Sequence, residues 1–178
     1  SGGYDMRDII FEYKELLATK LEIEQKLSVL PKGYISKKKI GGKQYLYLQT
    51  RNGDTVESKY IKAEEADEIA NQISLRKEYE AELPEVILRL ADIETAAELL
   101  DKALLRKLKM LKLTSGMDSI SADEKEKRIS FSDAMTSIEG VPVSDKVKTD
   151  LANWKKGNIT FLSVFEQTLR RYGFVTEV

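Results

Sequence analysis

Apolar residues recurring at steps of three and four constrain this chain more than any other feature. Between about Asp5 and Leu30 they fall at Ile9, Tyr13, Leu16, Ile23, Leu27 and Leu30, with Lys20 the only polar interruption and Ile10, Leu17 and Leu21 widening the stripe. That period predicts a long helix with one face to bury. Pro31 and Gly33 end it. Residues Ala63 to Leu83 carry Ala66, Ile69, Ala70 and Ile73 on a second stripe. Pro84 then suits the first turn of a third helix, running to about Leu111 through Val86, Leu90, Ile93, Ala97, Leu100 and Leu104. Three long helices with compatible seams predict a mainly α, coiled-coil-like bundle. The seams are expected to form an intramolecular core, with homodimerisation through leftover apolar surface as the alternative; Lys20 either sets register or snorkels.

Between the first two helices the period changes from helical to short and β-rich. Tyr34 to Ile40, Lys43 to Gln49 and Thr55 to Ile61 predict three strands, joined by Gly41-Gly42 and Asn52-Gly53, both hairpin dipeptides. The result is a small three-stranded antiparallel meander at 34–61, capping the tip of the helices. Together these elements make an N-terminal module over residues 1–112. Residues 113–129 contain Ser115-Gly116, Asp118-Ser119 and a mixed-charge run, and are expected to be a mobile linker. Residues 130–178 then predict a compact tail of three helices, at about Phe131 to Glu139, Ser144 to Lys156 and Thr160 to Tyr172. Ser144 and Thr160 are expected N-caps, and Gly140 and Gly157 stand where helix C-termini need a left-handed residue. Ser1-Gly2-Gly3 resembles the remnant of an expression tag ahead of a native start near Met6.

Composition removes whole classes of chemistry. The chain of 178 residues has no histidine and no cysteine. Ser-His-Asp and Cys-His catalysis, His or Cys metal sites and disulfides are therefore excluded. A non-enzymatic interaction protein is expected, with no cofactor and no metal. Paired acids such as Glu64 and Glu68 could hold a divalent ion or catalyse hydrolysis, but almost any acidic helix offers such a pair. No run approaches the roughly 20 apolar residues of a membrane helix, so the expected location is cytoplasmic.

Net charge is −1, yet the charges are segregated. Lys32 to Lys62 holds eight basic residues against Asp54 and Glu57, while Glu64 to Asp101 holds twelve acids against Arg76, Lys77 and Arg89. Lys102 to Lys112 is basic again. Such blocks imply separate partner surfaces, or helices that pair with one another. On the meander, alternation puts Tyr45 and Tyr47 on one face and Leu46 and Leu48 on the other, with Lys37, Lys38, Lys39, Lys43, Arg51 and Lys59 nearby. This mixture of cations and aromatics suits nucleic acid, making DNA an expected alternative partner. Otherwise the tyrosines pack between sheet and helix, and the lysines keep short edge strands soluble. The layout of three strands followed by a helix is similar to the arm-binding domains at the N-termini of tyrosine recombinases, which lay the sheet in a DNA groove.

In the tail, Thr136-Ser137-Ile138-Glu139-Gly140 is followed by Val143-Ser144, Leu151, Trp154, Gly157, Ile159 and Thr160. Over residues 130–173 this order resembles the VbhA-type antitoxins, small helical inhibitors of Fic-domain AMP-transferases. Their inhibitory helix carries Ser or Thr, any three residues, Glu, then Gly or Asn. Glu139 and Gly140 match; Met135 stands at the hydroxyl position and Thr136 one step later. The resemblance implies that Glu139 pairs with the toxin arginine that holds the γ-phosphate of ATP, removing the clamp on which nucleotidyl transfer depends. It implies a Fic-domain toxin as partner, with Thr136, Ser137, Glu139 and Gly140 in the contact. Fic catalysis uses a histidine, so a chain with none could only be the inhibitory half. A plain alternative is that Glu139 is an ordinary surface acid at a helix end. A structural adaptor joining proteins through its helical seams is a further alternative.

Overall fold

The computed structural model describes residues 5–174, so Ser1-Gly2-Gly3 lies outside the described residues. The fold is mainly α with one small antiparallel sheet. In chain order it comprises α1 (Met6–Val29), β1 (Tyr34–Ile40), β2 (Lys43–Asn52), β3 (Thr55–Ile61), α2 (Ala66–Leu100), α3 (Lys102–Thr114), α4 (Ala122–Ile138), α5 (Asp145–Lys155) and α6 (Phe161–Arg171). Two compact units divide the chain, one of residues 19–88 and one of residues 1–18 with 89–178.

The unit of residues 19–88 holds the end of α1, the sheet and the start of α2. The strands lie in the order β1-β2-β3. Tyr47 faces Ser36 on one side and Tyr60 on the other, and the register runs without a bulge in both hairpins. Ile23, Ile61 and Ile73 form the buried apolar set with Val86. Arg76 is also buried. Its Nη1 donates to the carbonyls of Leu27 and Leu30 at 2.6 and 2.7 Å, and its Nε to Glu80 at 2.7 Å. A cation thus satisfies carbonyls that the C-terminal end of α1 leaves without helical donors, and it sits at the negative pole of that helix dipole.

In the other unit, Tyr13, Leu17, Leu90, Ile93, Ala97, Leu104, Leu108, Leu111, Trp154 and Val164 are buried. The periodic seams therefore supply core residues in both units, but Leu100, expected on the third seam, is 79% exposed at the end of α2.

Two expected boundaries are corrected. Pro84 does not begin a helix but lies within α2, which runs 35 residues from Ala66 to Leu100. Proline there removes one backbone donor, yet Val86, Leu90 and Ile93 beyond it are buried on the apolar face, and their packing holds the helix through the defect. The break comes instead at Asp101, whose extended backbone and carboxylate, accepting from the Ala103 and Leu104 amides at 2.8 and 3.3 Å, make it the N-cap of α3.

The stretch expected as a linker, 113–129, contains the end of α3, a short turn at Met117–Ser119 and the first half of α4. Ser121 accepts from the Glu124 amide at 3.2 Å and starts α4 nine residues before the expected Phe131. Its first turn carries Asp123 and Glu124, which favour the positive end of the helix dipole. The remaining tail helices begin at the expected caps, Ser144 and Thr160.

Candidate functional site

Two surfaces carry the residues singled out by sequence. The first is the C-terminal end of α4. Glu139 is its C-cap, and Gly140 follows with φ +74°, a conformation that lets the chain turn off the helix. The Gly140 amide donates to Ser137 O and the Val141 amide to Thr136 O, closing the end. Glu139 is exposed, and its carboxylate has no hydrogen-bond or ion-pair partner among the described residues. A carboxylate at a helix C-terminus faces the negative end of the dipole, so this position costs free energy until a cation approaches.

The hydroxyls are differently employed. Thr136 Oγ1 donates back to Ser132 O at 3.0 Å and Ser137 Oγ to Asp133 O at 2.7 Å. Both are spent on their own helix. Beside Glu139 runs an apolar stripe that periodicity would assign to a core: Phe131, Met135 and Ile138, at steps of four and three, continued by Val141. Phe131 is 69% and Ile138 80% exposed. Met135 thus belongs to an open apolar face. Between Arg128 and Lys146 there is no basic residue, while Asp133, Glu139 and Asp145 are acidic.

The second surface is the sheet. Register separates the expected cation cluster into two faces. Lys37, Lys39 and Lys59 share a face with Leu46, Leu48 and Ile61. Lys38, Lys43 and Arg51 share the other with Tyr45 and Tyr47. Tyr60, which the strand reading passed over, joins this second face opposite Tyr47. The second turn differs from the expected one: β2 runs on past Gln49 to Asn52, which pairs with Thr55, so the loop is Gly53-Asp54 and not Asn52-Gly53. The expected dipeptide would have set Tyr60 opposite Tyr45, two residues away though on the same face.

Tyr60 lies 6.4 Å from Tyr45 and 5.9 Å from Tyr47 between ring centroids. Lys38 Nζ stands 4.9 Å over the Tyr47 ring. Ile61, at 2% exposure, marks the aliphatic face as the one turned to the core, whereas Tyr60 on the tyrosine face is 55% exposed.

Residues 13–71 match the family model of a domain of unknown function, DUF6788. The match takes in most of α1, the entire sheet and the first residues of α2. It stops well short of α4. No curated protein and no solved structure matches the chain. Among the described residues no cluster of three or more acids could hold a metal ion, and no helix is long and apolar enough to cross a membrane.

Proposed function

We propose that this chain is an antitoxin-like inhibitor that acts on a Fic-domain AMP-transferase through the end of α4. The observation that carries the proposal is the exposed, unpartnered Glu139 at the C-terminus of a helix whose neighbouring apolar stripe is open to solvent. In this reading the stripe docks on the enzyme and Glu139 takes the arginine that would otherwise hold the γ-phosphate of ATP. Pairing relieves the unfavourable carboxylate at the helix end and forms a charge-assisted hydrogen bond, bidentate if the guanidinium presents its fork. The α-phosphate of ATP then loses its alignment for attack, and transfer stops because positioning supplies most of the catalysis. Thr136 and Ser137 hold the last turn of α4 in shape by bonding to its backbone.

The test is to purify the full chain together with Fic-domain proteins encoded in the same genome and to follow AMP transfer from labelled ATP. A stable complex is expected in which the wild type silences transfer and Glu139→Gly restores it at least tenfold while the two proteins still co-elute. Equal silence with both forms would overturn the glutamate mechanism, and failure of every such protein to bind would overturn the antitoxin reading itself.

A further inference from the structure

We propose that the tyrosine face of the sheet binds single-stranded nucleic acid, independently of the α4 surface. The first observation is its charge. The only acid within the three strands is Glu57, which pairs in register with Thr50 and so sits on the opposite face. In a chain with 30 acids against 29 bases, a three-stranded face that bears Lys38, Lys43 and Arg51 and no carboxylate has a one-sided field. It complements a polyanion.

The second observation is arrangement. The rings of Tyr45 and Tyr47 on β2 both adjoin that of Tyr60 on β3; Lys38 stands beside Tyr45 on β1, Lys43 lies toward the first hairpin and Arg51 toward the second. A packed duplex hides the flat faces of its bases within the stack and shows a protein only their edges. A single strand offers those flat faces, and aromatic rings bind them with little regard to sequence while cations follow the phosphates. Aromatic rings with cations beside them and at both ends therefore fit unstacked bases joined by backbone. Third, the face is accessible: Tyr60 is more than half exposed, Lys38, Lys43 and Arg51 are exposed as well, and Tyr45 and Tyr47 are half-buried. The Lys38 ammonium resting over Tyr47 can move to a phosphate and vacate the ring for a base.

The test uses the full chain with fluorescein-labelled dT15, rU15 and a 15-base-pair DNA duplex, read by anisotropy between 50 and 200 mM salt. Saturable binding of at least one single strand, tighter than of the duplex, is expected. Its affinity should fall with salt at a logarithmic slope of about −2, as three phosphate contacts on a single strand predict. Tyr60→Ala should weaken binding about tenfold and Tyr60→Phe should retain it, since stacking needs the ring and not the hydroxyl. Lys38→Gln with Arg51→Gln should flatten the slope, whereas Lys37→Gln with Lys59→Gln on the opposite face should leave it nearly as it was. Tyr60 is at the surface, and a far-ultraviolet circular dichroism melt checks that each variant stays folded. No saturable binding, tighter binding of the duplex, or indifference to Tyr60→Ala would each overturn the proposal.

Discussion

Tyr13 is a polar side chain at a seam position, with no exposed surface. Burial of its hydroxyl is tolerable because it donates to Glu94 Oε1, and Glu94 is in turn paired with Lys112 at 3.0 Å. Burial, with the neighbouring carboxylate adding to it, pushes the Tyr13 phenol above its ordinary value of 10.0. For Glu94, burial works to raise the carboxyl, but the hydrogen bonds from Tyr13 and Lys112 outweigh it and the net direction is downward from 4.5. The two groups therefore act at opposite ends of the pH scale.

A raised phenol favours the neutral, folded form, so its contribution is complete below about pH 10 and is lost as pH rises through the folded value. A lowered carboxyl contributes above about pH 4.5 and is lost as pH falls through its folded value. Tyr13→Phe is expected to cost about 1 kcal/mol at pH 7 through the lost hydrogen bond. It should also flatten the fall in stability between pH 10 and 11 relative to the wild type. Thermal melts of both proteins across that range check it; parallel curves would show that Tyr13 does not govern the alkaline limb.

At the scale of elements, a segment rich in Gly, Ser and charge has acquired a structural task. Asp118, in the turn between α3 and α4, accepts from the Trp154 indole at 2.9 Å and from the Phe161 amide at 2.8 Å. One carboxylate thus ties the end of α5 and the start of α6 to the turn. Lys125, buried on α4, lies 5.0 Å over the same indole ring, and Phe161 packs on it at 4.7 Å between centroids. Asp118→Ala leaves two donors without their acceptor, one of them on a buried ring. A loss of about 2 kcal/mol is expected, with Asp118→Asn recovering part of it. Urea unfolding followed by Trp154 fluorescence measures it directly; an unchanged midpoint for Asp118→Ala would remove the anchor from the account.

The caps of α5 and α6 were legible in advance at Ser144 and Thr160. At Ser121 the cap of α4 was legible in principle, since Ser121-Ala122-Asp123-Glu124 is a capping-box pattern. Composition obscured it, because a run of exposed charges reads alike as solvated helix and as loop. The Asp118 anchor could not be read at all: its partners are 36 and 43 positions away.

For the whole molecule, the tail is not an independent piece. The unit containing it also includes residues 1–18 and 89–129, and Lys107 on α3 pairs with Glu166 on α6. Residues 130–178 alone would lack Asp118, Lys125 and Lys107, together with the apolar side chains of Leu104, Leu108 and Leu111. A fragment of that size has too little core to offset its chain entropy. Isolated 130–178 is expected to show weak helicity and no cooperative melt by circular dichroism, while the full chain melts cooperatively. A cooperative transition in the fragment would restore the tail as a separate domain. For the proposed inhibitor, the consequence is that α4 is held by α5, through Lys125 at Trp154 and Glu126 with Lys155, so its exposed end is presented on a folded support.

By itself the sequence determined what local physics determines. Heptad spacing specified long helices whose seams supply core residues, turn dipeptides specified two hairpins and which strand residues share a face, and the missing His and Cys excluded families of chemistry. Tertiary structure alone decided which faces remain open. Periodicity marks Phe131, Met135 and Ile138 as apolar neighbours just as it marks Leu104, Leu108 and Leu111, yet the first set is exposed and the second buried, because burial depends on whether another element arrives to cover the face. It likewise carried α2 through Pro84, where distant packing outweighs one lost hydrogen bond, and sorted the meander's cations onto two faces, leaving Tyr60 beside Tyr47 on the open one.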